Sequence, residues 1–173
     1  MSELIPVLTK EEIATRVEDV AQSISTDYKD RDLILIGILK GAFIFLSDLI
    51  RHLSIPVKVD FMCVSSYGSG TSSSGRVKLV KDVDLELKNM DVIIVEDIVD
   101  TGVTLSYLVD HLKSSGAASV RICALIDKKE RRKTKVVVDY VCHSVQQKGF
   151  LVGYGLDYAE FYRNLPEVYH LKL

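Results

Sequence analysis

Cysteine is scarce in this chain. There are three, Cys63, Cys123 and Cys142, odd in number and far apart. That excludes a disulfide framework and leaves no pair with zinc-ligand spacing. Cys63 and Cys123 lie in apolar, strand-like runs, and buried inert thiols are expected. Excess charge is also lacking. A net charge of -2 advertises no field for nucleic acid or a membrane surface, so neither is expected as a partner. No apolar run approaches the roughly 20 residues that cross a bilayer. Met1 to Pro6 holds no basic segment followed by a long apolar one, so no signal peptide is expected. A cytoplasmic location follows as the expectation. There are no internal repeats. There is no P-loop, and Gly68-Ser69-Gly70-Thr71-Ser72-Ser73 lacks the third glycine of a dinucleotide fingerprint.

What is present is the composition of one folded domain spanning residues 1–173. Of the 173 residues, 47% are hydrophobic and 27% charged, enough for a core without staples and too apolar for disorder. Thr9-Lys10-Glu11-Glu12 has the form of a capping box. Ile13, Val17, Val20, Ala21 and Ile24 then mark one face of a helix. Leu33 to Leu39 reads as a strand, Lys40-Gly41 as a turn, and Phe43, Leu46, Leu49, Ile50 and Leu53 as the inner face of a second helix. Val57 to Ser65, Val77 to Lys81, Val120 to Ile126 and Val136 to Val141 are further predicted strands. Between the first two of these lies Ser66 to Gly75, serine- and glycine-rich, expected to be a mobile loop. Asp127 to Lys135 is a charge-rich, mostly basic turn. Strands alternating with helices predict an α/β fold with a mainly parallel central sheet flanked by helices.

One stretch organises the rest. Val92, Ile93, Ile94 and Val95 form an unbroken β-branched run, as in a strand covered on both faces. Glu96, Asp97 and Asp100 follow, then Thr101-Gly102-Val103-Thr104, then Leu105, Leu108, Val109 and Leu112 at helical spacing. The picture is a buried strand, an acidic turn and a helix N-terminus, where amides and the helix dipole favour a phosphate. Carboxylates beside a phosphate make sense if the ligand also carries hydroxyls or a divalent cation. A phosphorylated sugar meets that description, with ribose hydroxyls against Glu96 and Asp97. Taken singly, these carboxylates would read as solvated residues at a strand end, with Asp100 or Thr101 capping the helix. Lys40-Gly41 alone would be an ordinary turn, Phe150 a core residue, and Asp157 and Arg163 a surface pair.

Residues 92–104 resemble the phosphoribosyl pyrophosphate signature of the type I phosphoribosyltransferases. Leu39-Lys40-Gly41 looks like that family's pyrophosphate loop, which often carries a non-proline cis peptide, and Ser66-Tyr67-Gly68 like the start of its flexible loop. Phe150 to Tyr158, with Arg163-Asn164-Leu165-Pro166, is similar to the purine-binding end of its hypoxanthine(-guanine) branch. The resemblance implies that family's fold, with a small hood from the N- and C-terminal segments. It also implies transfer of a phosphoribosyl group to a 6-oxopurine base with Mg2+, in a homodimer or homotetramer. By the same resemblance Glu96 and Asp97 hold the ribose hydroxyls, and Asp100 faces N7 of the base as the catalytic group. Thr101, Gly102, Val103 and Thr104 wrap the 5′-phosphate. Lys40, Gly41 and Arg163 meet pyrophosphate. Lys128, Phe150 and Leu151 take the purine, and Asp157, with Glu96 and Asp97, the metal. Val103 stands where some relatives carry lysine, and Gln146-Gln147-Lys148-Gly149 replaces the usual Pro-Asp-Lys type of turn before Phe150. Two alternatives stay open: a transferase for xanthine, uracil or adenine, and a non-catalytic nucleotide-sensing regulator of the same fold. The regulator would want a concentrated basic face.

Overall fold

The apolar runs become the strands of a central sheet. A computed structural model describes residues 3–66, 77–146 and 148–173. The chain runs β1 (Glu3–Leu8), α1 (Lys10–Asp27), β2 (Leu33–Leu39), α2 (Phe43–His52), β3 (Lys58–Ser66), β4 (Val77–Lys81), β5 (Asp91–Val99), α3 (Val103–Ser114) and β6 (Ser119–Lys128). A 3-10 turn (Lys129–Arg131), β7 (Tyr140–Val145), β8 (Phe150–Val152) and β9 (Val168–Lys172) complete it. A six-stranded sheet has the order β4-β3-β2-β5-β6-β7, parallel except for β4 at its edge. The chain adds β3 on one side of β2 and later β5 on the other. The gap beyond the carboxyl ends of β2 and β5 is therefore a topological switch point, where ligands of such sheets bind.

Both faces of the sheet are covered. Leu33 and Leu35 of β2, with Ile93 and Val95 of β5, pack into a core with α1 and α2. Ile34, Ile36 and Ile38, with Val92 and Ile94, pack into a second core with α3. That two-sided burial is why these strands are continuous apolar runs. The predicted capping box starts α1: Glu12 N–H donates to Thr9 Oγ1 at 3.1 Å, and Thr9 N–H donates to Glu12 Oε2 at 2.9 Å. A second, antiparallel sheet of order β1-β9-β8 is the hood, joining the N-terminal segment to the C-terminal one.

Several expectations need correction. β5 does not stop at Val95. It pairs with β6 as far as Val99 and Asp127, so Glu96 and Asp97 are strand residues, not turn residues. Asp127 and Lys128 likewise end a buried strand rather than open an exposed basic turn. The strand predicted at Val136 to Val141 lies at Tyr140–Val145 instead. Val136 packs against α3's core and its carbonyl accepts from Arg132 Nη1 at 3.4 Å, while Val137 is 69% exposed. Tertiary contacts there override β propensity. Phe43 is 46% exposed, and Phe45 fills the inward position on α2. Cys63 is only partly buried, next to the edge strand β4, whereas Cys123 and Cys142 are buried. Burial pushes the Cys142 thiol up to about 12 and the Cys123 thiol well above its ordinary value, so both are inert.

Candidate active site

Two glycines let three chain segments meet at the switch point. A Cβ on Gly41 would lie 1.8 Å from Asp97 Oδ2, so only glycine lets the turn after β2 approach the end of β5. A Cβ on Gly155, whose φ is +97°, would lie 2.2 Å from the Gly41 carbonyl oxygen. The hood is thereby pressed onto that same turn. The Leu39–Lys40 peptide in it is cis. Lys40 Nζ sits 2.9 Å from Glu160 Oε2. Arg163 Nη2 lies 3.1 Å from Asp157 Oδ1 and 3.5 Å from Glu160 Oε1, while Nη1 donates to the Gly155 carbonyl at 2.8 Å. The predicted pyrophosphate residues Lys40, Gly41 and Arg163 are thus gathered at one place, with Asp157. Glu160 joins them there, and nothing in its sequence context marked it.

At the end of β5, Glu96 and Asp97 are adjacent carboxylates in a cleft. Burial first, and then the Asp97 charge, holds the Glu96 carboxyl well above the ordinary range. Burial also raises Asp97. Backbone amides only partly compensate: Asp97 N–H donates to Glu96 Oε1 at 3.0 Å, and Ile98 N–H to Asp97 Oδ1 at 2.6 Å. Two crowded, desolvated carboxylates suit hydroxyls or a cation.

α3 begins at a left-handed Gly102 with φ 81° and no side-chain cap. Neither Asp100 nor Thr101 caps it; Thr101 Oγ1 makes only a 3.5 Å contact with Val103 N–H. The first-turn amides therefore face an open cavity of about 170 Å3, lined by Glu96, Asp97, Asp100, Thr101, Gly102 and Thr104. Val103 starts the helix without lining it.

A larger cavity of about 580 Å3 adjoins it. Asp97 and Asp100 line both, and the larger one is walled by Lys128, Phe150, Leu151 and Asp157, and also by Arg131 and Lys148. Phe150 is 53% exposed, a ring face free for a planar partner, with its edge contact to Tyr158 at 5.4 Å between centroids. Lys128 Nζ donates to the Gly149 carbonyl at 2.9 Å. Asp100 has one oxygen 3.3 Å from Arg131 Nη1; the other is buried with no partner among the described residues. Arg132, within the predicted charge-rich turn, is drawn inward. It pairs with buried Asp127 and donates to the Asp100 carbonyl at 3.0 Å through Nε. Only a fold that brings β6 beside β5 reveals that role. Ser66 ends β3, and the remaining loop residues, Tyr67 and Gly68, lie outside the described residues.

Among the described residues no three His, Cys, Asp or Glu side chains form a closed metal cage. Magnesium rarely uses one. It takes one or two carboxylates and fills the remaining positions with water and substrate phosphate. Asp97 and Asp157 on one cavity wall, with Glu96 behind, fit that donor set.

A family model described as phosphoribosyl transferase domain matches residues 7–159. The hypoxanthine-guanine phosphoribosyltransferase of Streptococcus mutans is 48% identical over 164 residues, covering 95% of this chain and 91% of that protein. A crystal structure of a hypoxanthine phosphoribosyltransferase from Staphylococcus aureus superposes with a TM-score of 0.92 at 42% identity, covering 96% of this chain and 90% of the other. A hypoxanthine-guanine phosphoribosyltransferase from Bacillus anthracis, solved with a HEPES molecule in the active site, gives a TM-score of 0.92 at 40% identity, covering 98% and 99%.

Proposed function

Because the chain belongs to the phosphoribosyl transferase family, we propose that it moves a 5-phosphoribosyl group from phosphoribosyl pyrophosphate to hypoxanthine or guanine, releasing pyrophosphate. The observation that carries this is the meeting of two cavities at Asp97 and Asp100. One is small, faces a helix N-terminus and suits a 5′-phosphate with its ribose. The other is larger, with an exposed aromatic face and a lysine, and suits a planar oxopurine. A glycosyl transfer centre needs sugar and base on either side of one carboxylate.

In this reading the purine N9 attacks C1′, the C1′–oxygen bond to pyrophosphate breaks, and its electron pair leaves with pyrophosphate. Asp100 accepts the N7 proton as N9 attacks; its unpartnered oxygen is buried beside the base cavity. Glu96 and Asp97 accept from the ribose 2′ and 3′ hydroxyls. Thr101, Gly102, Val103 and Thr104 surround the 5′-phosphate. Lys128 donates to the purine 6-oxo group, Phe150 stacks on the ring, and Leu151 backs its edge. Lys40, Gly41 and Arg163 receive pyrophosphate, the two cations exchanging Glu160 for the leaving group. Magnesium, when bound, offsets charge on that leaving group, with Asp157 and the Glu96–Asp97 pair as the protein residues that would hold it. A cytoplasmic homodimer or homotetramer completes the proposal.

The test mixes purified protein, magnesium, phosphoribosyl pyrophosphate and each purine, and follows nucleotide formation. IMP and GMP are the expected products. Absence of turnover with every purine would sink the proposal, and turnover with xanthine or adenine alone would redirect it.

A further inference from the structure

One set of contacts stands directly behind the base cavity and belongs to none of the groups above. His170 lies on β9, opposite Leu151 in the β8–β9 ladder. Its Nε2 is 2.7 Å from the Lys148 carbonyl oxygen. A carbonyl only accepts, so Nε2 carries the hydrogen and donates it, as neutral imidazole or as imidazolium. The next residue is Gly149, at φ +122°. A Cβ there would fall 2.2 Å from His170 Nε2 and 2.3 Å from Cε1, so the ring fills the space a side chain would need.

The Gly149 carbonyl in turn accepts from Lys128 Nζ at 2.9 Å. Lys128 is only 6% exposed, and it shares the wall of the 580 Å3 cavity with Gly149 and Phe150. A lysine ammonium is a point charge on a flexible stem. A fixed acceptor decides where its other hydrogens point. Glycine at this φ has no side chain to hold the backbone still. The imidazole, mounted on a paired strand, does so from behind.

We infer that His170 is a positioning residue for the base: it props the Lys148–Gly149 backbone, and that backbone aims Lys128 at the base. The inference rests on the proposed role of Lys128 at the purine 6-oxo group. The sequence departs from its resembled family at this same turn, Gln146 to Gly149. A glycine there and a histidine behind it form one device, since each occupies room the other leaves.

The experiment is steady-state kinetics on the unaltered protein, His170→Ala, His170→Gln and Gly149→Ala. Hypoxanthine is varied at saturating phosphoribosyl pyrophosphate, and then the reverse. His170→Ala should raise KM for hypoxanthine about fivefold, as loss of one neutral hydrogen bond does. KM for phosphoribosyl pyrophosphate and the melting temperature should stay in place. His170→Gln, which keeps an N–H donor, should recover most of the loss. Gly149→Ala should raise KM for hypoxanthine at least as much as His170→Ala. An unmoved KM for hypoxanthine overturns the role of His170. So does a rise in both KM values together, or a glutamine no better than alanine. A protein inactive before any substitution overturns the transferase reading along with it, whereas an active one with unmoved KM overturns only the positioning role.

Discussion

The two halves of the site are built in different ways. The half proposed for sugar and phosphate is one contiguous segment, Glu96 to Thr104, running from the end of the central strand β5 into α3. The half proposed for base and pyrophosphate is gathered from Lys40, Lys128 and the hood segment 148–163, where Tyr154, Ala159, Glu160 and Tyr162 all take positive φ without being glycine. Regular structure fixes the first half. Close packing of irregular chain fixes the second, so its precision depends on a few contacts that each restrain backbone. Asp100, the proposed proton acceptor, lines both cavities where the halves join.

Substitution there should produce the largest effect. Asp100→Ala is expected to lower kcat by about 10²–10⁴, the usual worth of a positioned proton acceptor, while circular dichroism stays native. An unchanged kcat would remove Asp100 from its assigned role and leave the two halves without a shared group.

Glycine substitutions compare the halves in stability. Gly155→Ala drives a Cβ toward the Gly41 carbonyl oxygen at 2.2 Å, backbone against backbone in the hood half. Gly102→Ala meets Arg132 Cδ and Val136 Cγ2 at 3.0 Å and the Thr134 carbonyl oxygen at 3.2 Å, gaps that need shifts of only a few tenths of an ångström. Both pay for a positive φ, so about 3–5 kcal/mol for Gly155→Ala and about 1–2 kcal/mol for Gly102→Ala are expected in urea denaturation. The reverse order would contradict the idea that the hood half is the tighter fit.

The Glu96–Asp97 pair tests the sugar half by pH. Burial, and for Glu96 the neighbouring Asp97 charge, raises both carboxyls in the folded protein. The folded state then binds more protons than the unfolded chain between the ordinary carboxylate range and the raised native values. Stability accordingly falls as pH climbs through that window. Glu96→Gln should flatten the decline and raise the melting temperature at neutral pH by about 3 °C. It should also lower activity, since a ribose hydroxyl loses its acceptor. A lower melting temperature at neutral pH would show that the pair is not held under repulsion.

The smallest effect is expected at Glu160. It is exposed, and Lys40 first, then Arg163, lowers its carboxyl below the ordinary value. Glu160→Gln removes the ion-pair partner of Lys40 and leaves Arg163 with Asp157, and it should tighten inhibition by added pyrophosphate by about twofold, in keeping with the small worth of exposed ion pairs. Weaker inhibition would mean that Glu160 assists pyrophosphate rather than competing with it.

The same division explains what could be read from the sequence. Val92 to Thr104 was legible because strand, carboxylates, glycine and helix follow one another, and each signal is local. The two-sided burial of β2 and β5 and the capping box of α1 were legible for the same reason. Where β5 ends was not, since it depends on pairing with β6 through Asp127. Nor were the partners of Arg132, Glu160 and His170, which are chosen across the fold by segments distant in sequence. Phe43 and Val136 misled because periodicity and propensity speak for one element, and packing is decided between elements.

The ladder joining β1 to β9 has a consequence for how the molecule comes together. It pairs Glu3 with Lys172, almost the two ends of the described chain. Such a pairing costs loop-closure entropy over nearly the whole polypeptide before it returns a contact. The parallel strands β2, β3, β5 and β6 meet through much shorter closures. Leu8, Leu151 and Val168 carry the hood into the same core as β2 and α2, so the two ends of the chain are tied to the sheet through shared packing. β9 also bears His170, so the turn propped at the Lys148 carbonyl is tied to the meeting of the two chain ends.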